Sequence, residues 1–111
     1  MSEVLFNTQV PLQPSTPVVV GINVPTGMAS PWSVIAMPVD SGTGPNPVTL
    51  KLDREFFGQP IQLVAPGALT VNVINTFDQT LAATRLLVTL TPGANVPDGG
   101  VRLQLVGFRS Y

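Results

Sequence analysis

The chain has 111 residues, no cysteine, no histidine, a net charge of −1 and only 10% charged residues. That length accommodates one domain, and the missing side chains exclude disulfides, zinc sites built on His or Cys, and Ser–His or Cys–His nucleophile systems. Five basic residues are too few for a phosphate-binding face, and no apolar run approaches the roughly 18 residues of a spanning helix, so neither nucleic acid nor membrane is an expected partner.

The start, Met1-Ser2-Glu3-Val4, lacks a basic stretch followed by an apolar run. No signal peptide is expected there, which fits a protein made in a cytoplasm or a chain trimmed from a longer one. Proline (12 residues) and glycine (10 residues) then punctuate short runs rich in Val, Leu and Thr, the pattern of many strands separated by turns. Strands are predicted near 3–12, 17–24, 32–39, 47–53, 60–65, 68–75, 84–91 and 100–108. Pro11, Pro14 and Pro17 recur every third residue, the period of a polyproline II helix. They read as an extended arm, a docked peptide, or a stiff entry into the second strand. Residues 1–16 are accordingly expected to form an N-terminal arm or an edge strand, ahead of a β-sandwich over 17–111.

Further along, Val48, Leu50 and Leu52 alternate with Thr49, Lys51 and Asp53, as a half-buried strand requires. Leu69, Val71 and Val73 alternate in the same way, as do Leu86, Val88 and Leu90 (with Leu87 out of step) and Val101, Leu103 and Leu105. Val18–Val20 and Trp32–Met37 are apolar on both faces, the signature of strands covered twice or meeting another subunit. A short helix is the best alternative at Phe77–Ala83, where Thr76 and Gln79 have capping-box spacing, although a loop serves equally there. A weaker helical turn is expected at Arg54–Phe57. About eight strands in this length favour an all-β, two-sheet antiparallel sandwich, a jelly roll or related Greek key.

Chemistry is scarce. Of the six carboxylates, Asp53 and Glu55 form the one close pair, interleaved with Arg54 after Lys51, and local ion pairing explains them more simply than catalysis. Asp40-Ser41-Gly42-Thr43-Gly44-Pro45-Asn46 offers one carboxylate and lacks the acidic spacing of a calcium loop, so a solvated hairpin loop is expected. Asp98-Gly99-Gly100 reads as a turn between the last two strands. The glycines at 42 and 44 precede no helical pattern and make no phosphate cradle. No enzyme, cofactor or metal is expected.

Binding or building remains. A charged fraction of 10%, against about 25% in ordinary domains, leaves a surface that costs little to cover. Trp32 begins a strand whose face continues through Val34 and Ala36, which favours the core over a rim platform. Adjacent Phe56 and Phe57 cannot both point inward on an extended segment, so one of them is expected at the surface. The candidate protein-contact residues are Pro11, Pro14, Pro17, Trp32, Lys51, Arg54, Phe56 and Phe57.

In composition and strand rhythm the whole chain resembles small β-sandwich proteins of bacteriophage particles, the capsid decoration or cement proteins. The resemblance rests on no diagnostic motif, so no family residue is carried over. It implies a structural virion protein, made in the host cytoplasm, that binds and stabilises the shell. Its partners would be the major capsid protein or another virion protein, and copies of itself, often as trimers. Two other classes stay open. One is a carbohydrate- or ligand-binding module using Trp32 or the Phe56–Phe57 pair beside Asp53 or Asn46. The other is an exported pilus or surface-layer subunit.

Overall fold

The computed structural model describes residues 2–24, 28–42, 46–79 and 85–109; the side chains at 2, 3, 28–31, 56, 108 and 109 lie outside that description. Among the described residues there are eight strands: β1 (Ser2–Val10), β2 (Val18–Asn23), β3 (Met28–Pro38), β4 (Val48–Phe56), β5 (Gln59–Ala68), β6 (Asn75–Gln79), β7 (Arg85–Pro92) and β8 (Val101–Arg109). They form two four-stranded antiparallel sheets, ordered β1-β8-β3-β6 and β2-β7-β4-β5. The expected sandwich is therefore the observed one.

The pairing is nested. β4 pairs with β5, β3 with β6, β2 with β7 and β1 with β8, and two further ladders, β3·β8 and β4·β7, close the roll. This is a jelly roll: a long folded hairpin wound into two facing sheets. The β4–β5 hairpin stays within one sheet, while every other connection crosses to the opposite one.

Alternation builds the core between the sheets. Trp32, Val34 and Ala36 of β3 and Val101, Leu103 and Leu105 of β8 face Ile22, Val48, Leu50, Leu52, Leu86, Val88 and Leu90 of the other sheet, all buried. Burying each such aliphatic side chain contributes roughly 1.5–3 kcal/mol. Residues 2–10, expected as arm or edge strand, are edge strand β1, and Val10 and the following Leu12 join the core.

Several local expectations are corrected. The 11–17 stretch is a tight turn rather than polyproline II: Ser15 has φ 52°, Gln13 and Thr16 bridge, and Thr16 N–H donates to the Gln13 carbonyl. Pro14 thus occupies the position where a turn favours proline, followed by a left-handed residue. The predicted strand at 68–75 is instead the end of β5 and a connection. Asn72 turns the chain at φ 60°, and the Asn75 amide binds Thr70 and Val73. Local Asn-to-backbone bonding outweighs the β propensity of Val71 and Val73 there. Residues 77–79, expected to open a helix over Phe77–Ala83, belong instead to β6, which pairs with β3; residues 80–83 of that expected helix lie outside the described residues. The helical turn expected at Arg54–Phe57 is strand through Phe56, then a hairpin turn.

Candidate functional site

The β4–β5 hairpin turns on two residues. Phe57 has φ 51° and Gly58 φ 76°, between the paired Phe56 and Gln59, which is the pattern of a type I′ turn. Glycine suits its position, but a bulky residue in the left-handed region is under strain of about 1–2 kcal/mol. Phe57 is also 90% exposed. The parity expectation that one of the two phenylalanines reaches the surface is met by Phe57; the Phe56 side chain lies outside the described ones.

Behind this turn the outer face of the β2-β7-β4-β5 sheet collects charge. Arg85 binds Glu55 with Nε–Oε2 3.0 Å apart and donates from Nη1 to Asn23 Oδ1 at 3.3 Å. Its guanidinium lies over Gly21 so closely that a Cβ there would collide with it. Lys51 pairs with Asp53, Nζ to Oδ2, at 3.6 Å. Asp53, expected on an exposed strand face, is only 4% exposed, and its Oδ1 has no hydrogen-bond partner. The β4–β5 ladder shifts register beside it, between Leu52 and Asp53. Arg54 is half-buried.

The outer face of the β1-β8-β3-β6 sheet is different in kind. Asn7, Gln104, Ile35 and Thr76 form one row, and Gln9, Arg102 and Met37 the next. Two adjoining depressions, sharing Arg102 and Gln104, lie on it: about 320 Å³ against Asn7, Thr8 and Gln9, and about 170 Å³ against Ile35, Met37 and Ile74. Ile74 is 63% exposed. Among the described side chains on this face the charges are Arg102 and Asp78, and Asp78 accepts a hydrogen bond from Ser33.

The end of the sandwich opposite Phe57 is closed by polar side chains. Asp40 N–H donates to Asn72 Oδ1 (2.9 Å), and Asn72 Nδ2 donates back to the Asp40 carbonyl (2.8 Å). The Asp40 carboxylate accepts from Gly42 N–H and from the Asn46 amide. The Gly42 N–H above all, then Asn46, with a smaller part from the Asp98 backbone, holds this carboxyl below the usual carboxylate range against the opposing effect of burial. Ser41 binds Asp98 through both its N–H and its hydroxyl. Gly99 and Gly100 exchange backbone bonds with Val39, and a Cβ on Gly100, at φ 68°, would run into the Val10 carbonyl. The Asp40 oxygens thus face N–H donors, an arrangement that fixes a loop. Among the described residues no three of His, Cys, Asp and Glu converge as metal ligands.

The sequence candidates are not brought together. Pro11, Pro14 and Pro17 sit at the closed end, where Ser15 N–H donates to the Gly93 carbonyl and Gly93 N–H to that of Pro47. Phe57 lies at the far end of β4, about 30 Å away at the usual strand rise. Trp32, proposed as a contact residue, is 3% exposed and belongs to the core. Lys51 and Arg54 flank buried Asp53. Sequence reasoning missed Arg85, Gly21 and Asn72, whose roles depend on pairings between distant strands. Comparison with protein-family models, curated proteins and solved structures returns no match in any of the three.

Proposed function

We propose that this jelly roll is a non-enzymatic structural protein of a virus particle, a decoration or cement protein that binds and stabilises the shell. Phe57 carries the reading. An aromatic side chain held almost fully in solvent, on backbone that a bulky residue occupies only at an energetic cost, is the arrangement of a contact residue. Among the described side chains the β1-β8-β3-β6 face also carries few charges, and its amides and half-buried Ile35 and Met37 cost less to desolvate than charged groups would. Fold alone does not assign a function, and shell binding is chosen because these features offer contact surfaces rather than a reaction centre. A sugar site built on Trp32 loses its platform, since that ring is in the core.

The test is cosedimentation with capsids assembled from the shell protein encoded nearest its gene. Wild-type protein is expected to pellet with them saturably and to raise their melting temperature, and Phe57→Asn to lose at least tenfold in affinity, about 1.4 kcal/mol. No binding by the wild type, or equal binding by Phe57→Asn, overturns the proposal.

A further inference from the structure

Lys51 and Arg85 are paired with carboxylates. Arg102 is exposed and has neither an ion pair nor a hydrogen bond among the described residues. Asp78, the other charge described on its face, stands opposite Ser33, four residues along β3 from Met37 and so about 13 Å away. The Asp98 carboxylate, on the far side of Gln9, is bonded to Ser41. Gln9, Arg102 and Met37 lie side by side on β1, β8 and β3, about 5 Å apart. The depression on the Gln9 side is polar. There the Gln9 amide donates to the Gly99 carbonyl (2.5 Å) and the Gln104 amide to Asn7 Oδ1 (3.5 Å). Those bonds leave both glutamine amide oxygens and the Asn7 nitrogen without partners among the described residues. The depression on the Met37 side is walled by Ile35, Met37 and Ile74. Arg102 and Gln104 line both, so the guanidinium stands at their junction.

We infer that this junction is a binding site for the free C-terminus of a polypeptide ending in an aliphatic residue. The unpaired guanidinium fits a carboxylate, which can meet two of its N–H groups at once. On either side of that carboxylate, one strand spacing away, the ligand needs an aliphatic branch toward Met37 and a hydrogen-bonding chain toward Gln9. The Cα of a C-terminal Leu, Ile, Val or Met bears those three substituents on one atom. Its peptide unit supplies an N–H for a glutamine oxygen and the preceding carbonyl an acceptor for the Asn7 nitrogen. An internal Asp or Glu fits less well, because the next side chain on its face is two residues on, about 7 Å along an extended chain. A uronate sugar offers a carboxylate and hydroxyls but no aliphatic branch, and leaves the apolar depression unfilled. Both β8 and β3 are paired along their two edges, so recognition at Arg102 rests on side chains and not on an added strand. Capture of a chain terminus goes beyond the shell reading and stands without it.

NMR titration of the isotope-labelled full chain with the peptide Gly-Ser-Gly-Leu, acetylated at its N-terminus, tests it. The free acid is expected to saturate at or below about 1 mM, with shifts centred on the Arg102 Nε–H and the Asn7, Gln9 and Gln104 side-chain amides. The same peptide closed as a C-terminal amide should bind at least tenfold more weakly. The free acid ending in Gly should bind about tenfold more weakly, for want of the branch. Arg102→Gln should lose at least tenfold for the Leu-ended acid, and Met37→Ser should bring the Leu- and Gly-ended acids within about threefold of each other. Thermal melts establish that each variant folds, and the peptide series decides the matter on the wild type alone. No binding of the free acid, equal binding of its amide, or undiminished binding by folded Arg102→Gln overturns the inference. So does equally tight binding of a peptide with an internal Glu and both ends blocked, or tighter binding of tetragalacturonate at Arg102. Phe57→Asn should leave the peptide affinity unchanged, so this inference and the shell reading fail separately.

Discussion

The two ends of the sandwich are built on opposite terms. At one, the connections after β1, β3, β5 and β7 are tied by Asn72, Asp40, Ser41, Asp98 and the Gly99–Gly100 pair, each bonded to a named partner. At the other, the β4–β5 turn holds Phe57 in a strained conformation and in solvent. Side-chain-to-backbone bonds at the first end replace the regular ladder where the chain leaves its sheets. A frame fixed there tolerates a locally unfavourable turn at the second, and tolerated strain of this kind collects where a surface has work to do.

The largest effect should come from the closed end. Gly100→Ala places a methyl against the Val10 carbonyl and forces alanine to a positive φ, and should destabilise the fold by about 3 kcal/mol or more in urea unfolding. Asn72→Ala removes both bonds to the Asp40 backbone and the residue type that tolerates φ 60°; a loss of about 2–3 kcal/mol is expected. Asn72→Gly keeps the backbone freedom and should recover roughly half of that loss.

Asp40 gives the closed end a pH dependence. Its folded pKa lies below the unfolded value of about 3.9, so its contribution is complete above that value and is lost as pH falls through the depressed folded pKa. Melting temperatures followed from pH 6 to pH 2 should show a steeper acid decline for the wild type than for Asp40→Asn. The smallest effect on stability should come from the exposed end, with the opposite sign. Phe57→Asn creates Asn-Gly, the preferred type I′ pair, and should stabilise the fold by about 1 kcal/mol. If that variant is destabilised, the comparison between the two ends fails, because Phe57 then supports the frame instead of being carried by it.

Much of the frame was legible because alternation reports burial directly. Val48-x-Leu50-x-Leu52, Leu86-x-Val88-x-Leu90 and Val101-x-Leu103-x-Leu105 all face the core as their spacing requires. The same logic misread 68–75, because the αL turn at Asn72 and the Asn75 amide act locally and leave no mark on hydrophobic periodicity. It also misplaced Asp53: an outward position in a strand is exposed only if neighbouring strands leave it so, and the shifted β4–β5 ladder lies beside this one. Three prolines at a period of three described a turn, since one left-handed residue, Ser15, ends any polyproline helix. Parity made legible that one of Phe56 and Phe57 is exposed; that it is Phe57 follows from the turn it occupies. The Arg85–Gly21 contact was not legible, because it joins strands far apart in the sequence.

The nesting of the strands also bears on how the chain reaches its fold. Only β4 and β5 are neighbours in sequence and partners in the sheet, and each later ladder closes a longer loop, until β1 meets β8 across nearly the whole chain. Loop-closure entropy rises with each step outward, so a roll of this kind assembles slowly, with its non-local ladders formed late. The two-residue turn at Phe57 and Gly58 closes the shortest loop of any ladder among the described residues. The left-handed conformation of Phe57 therefore weighs on the closure of this shortest loop as well as on the folded state.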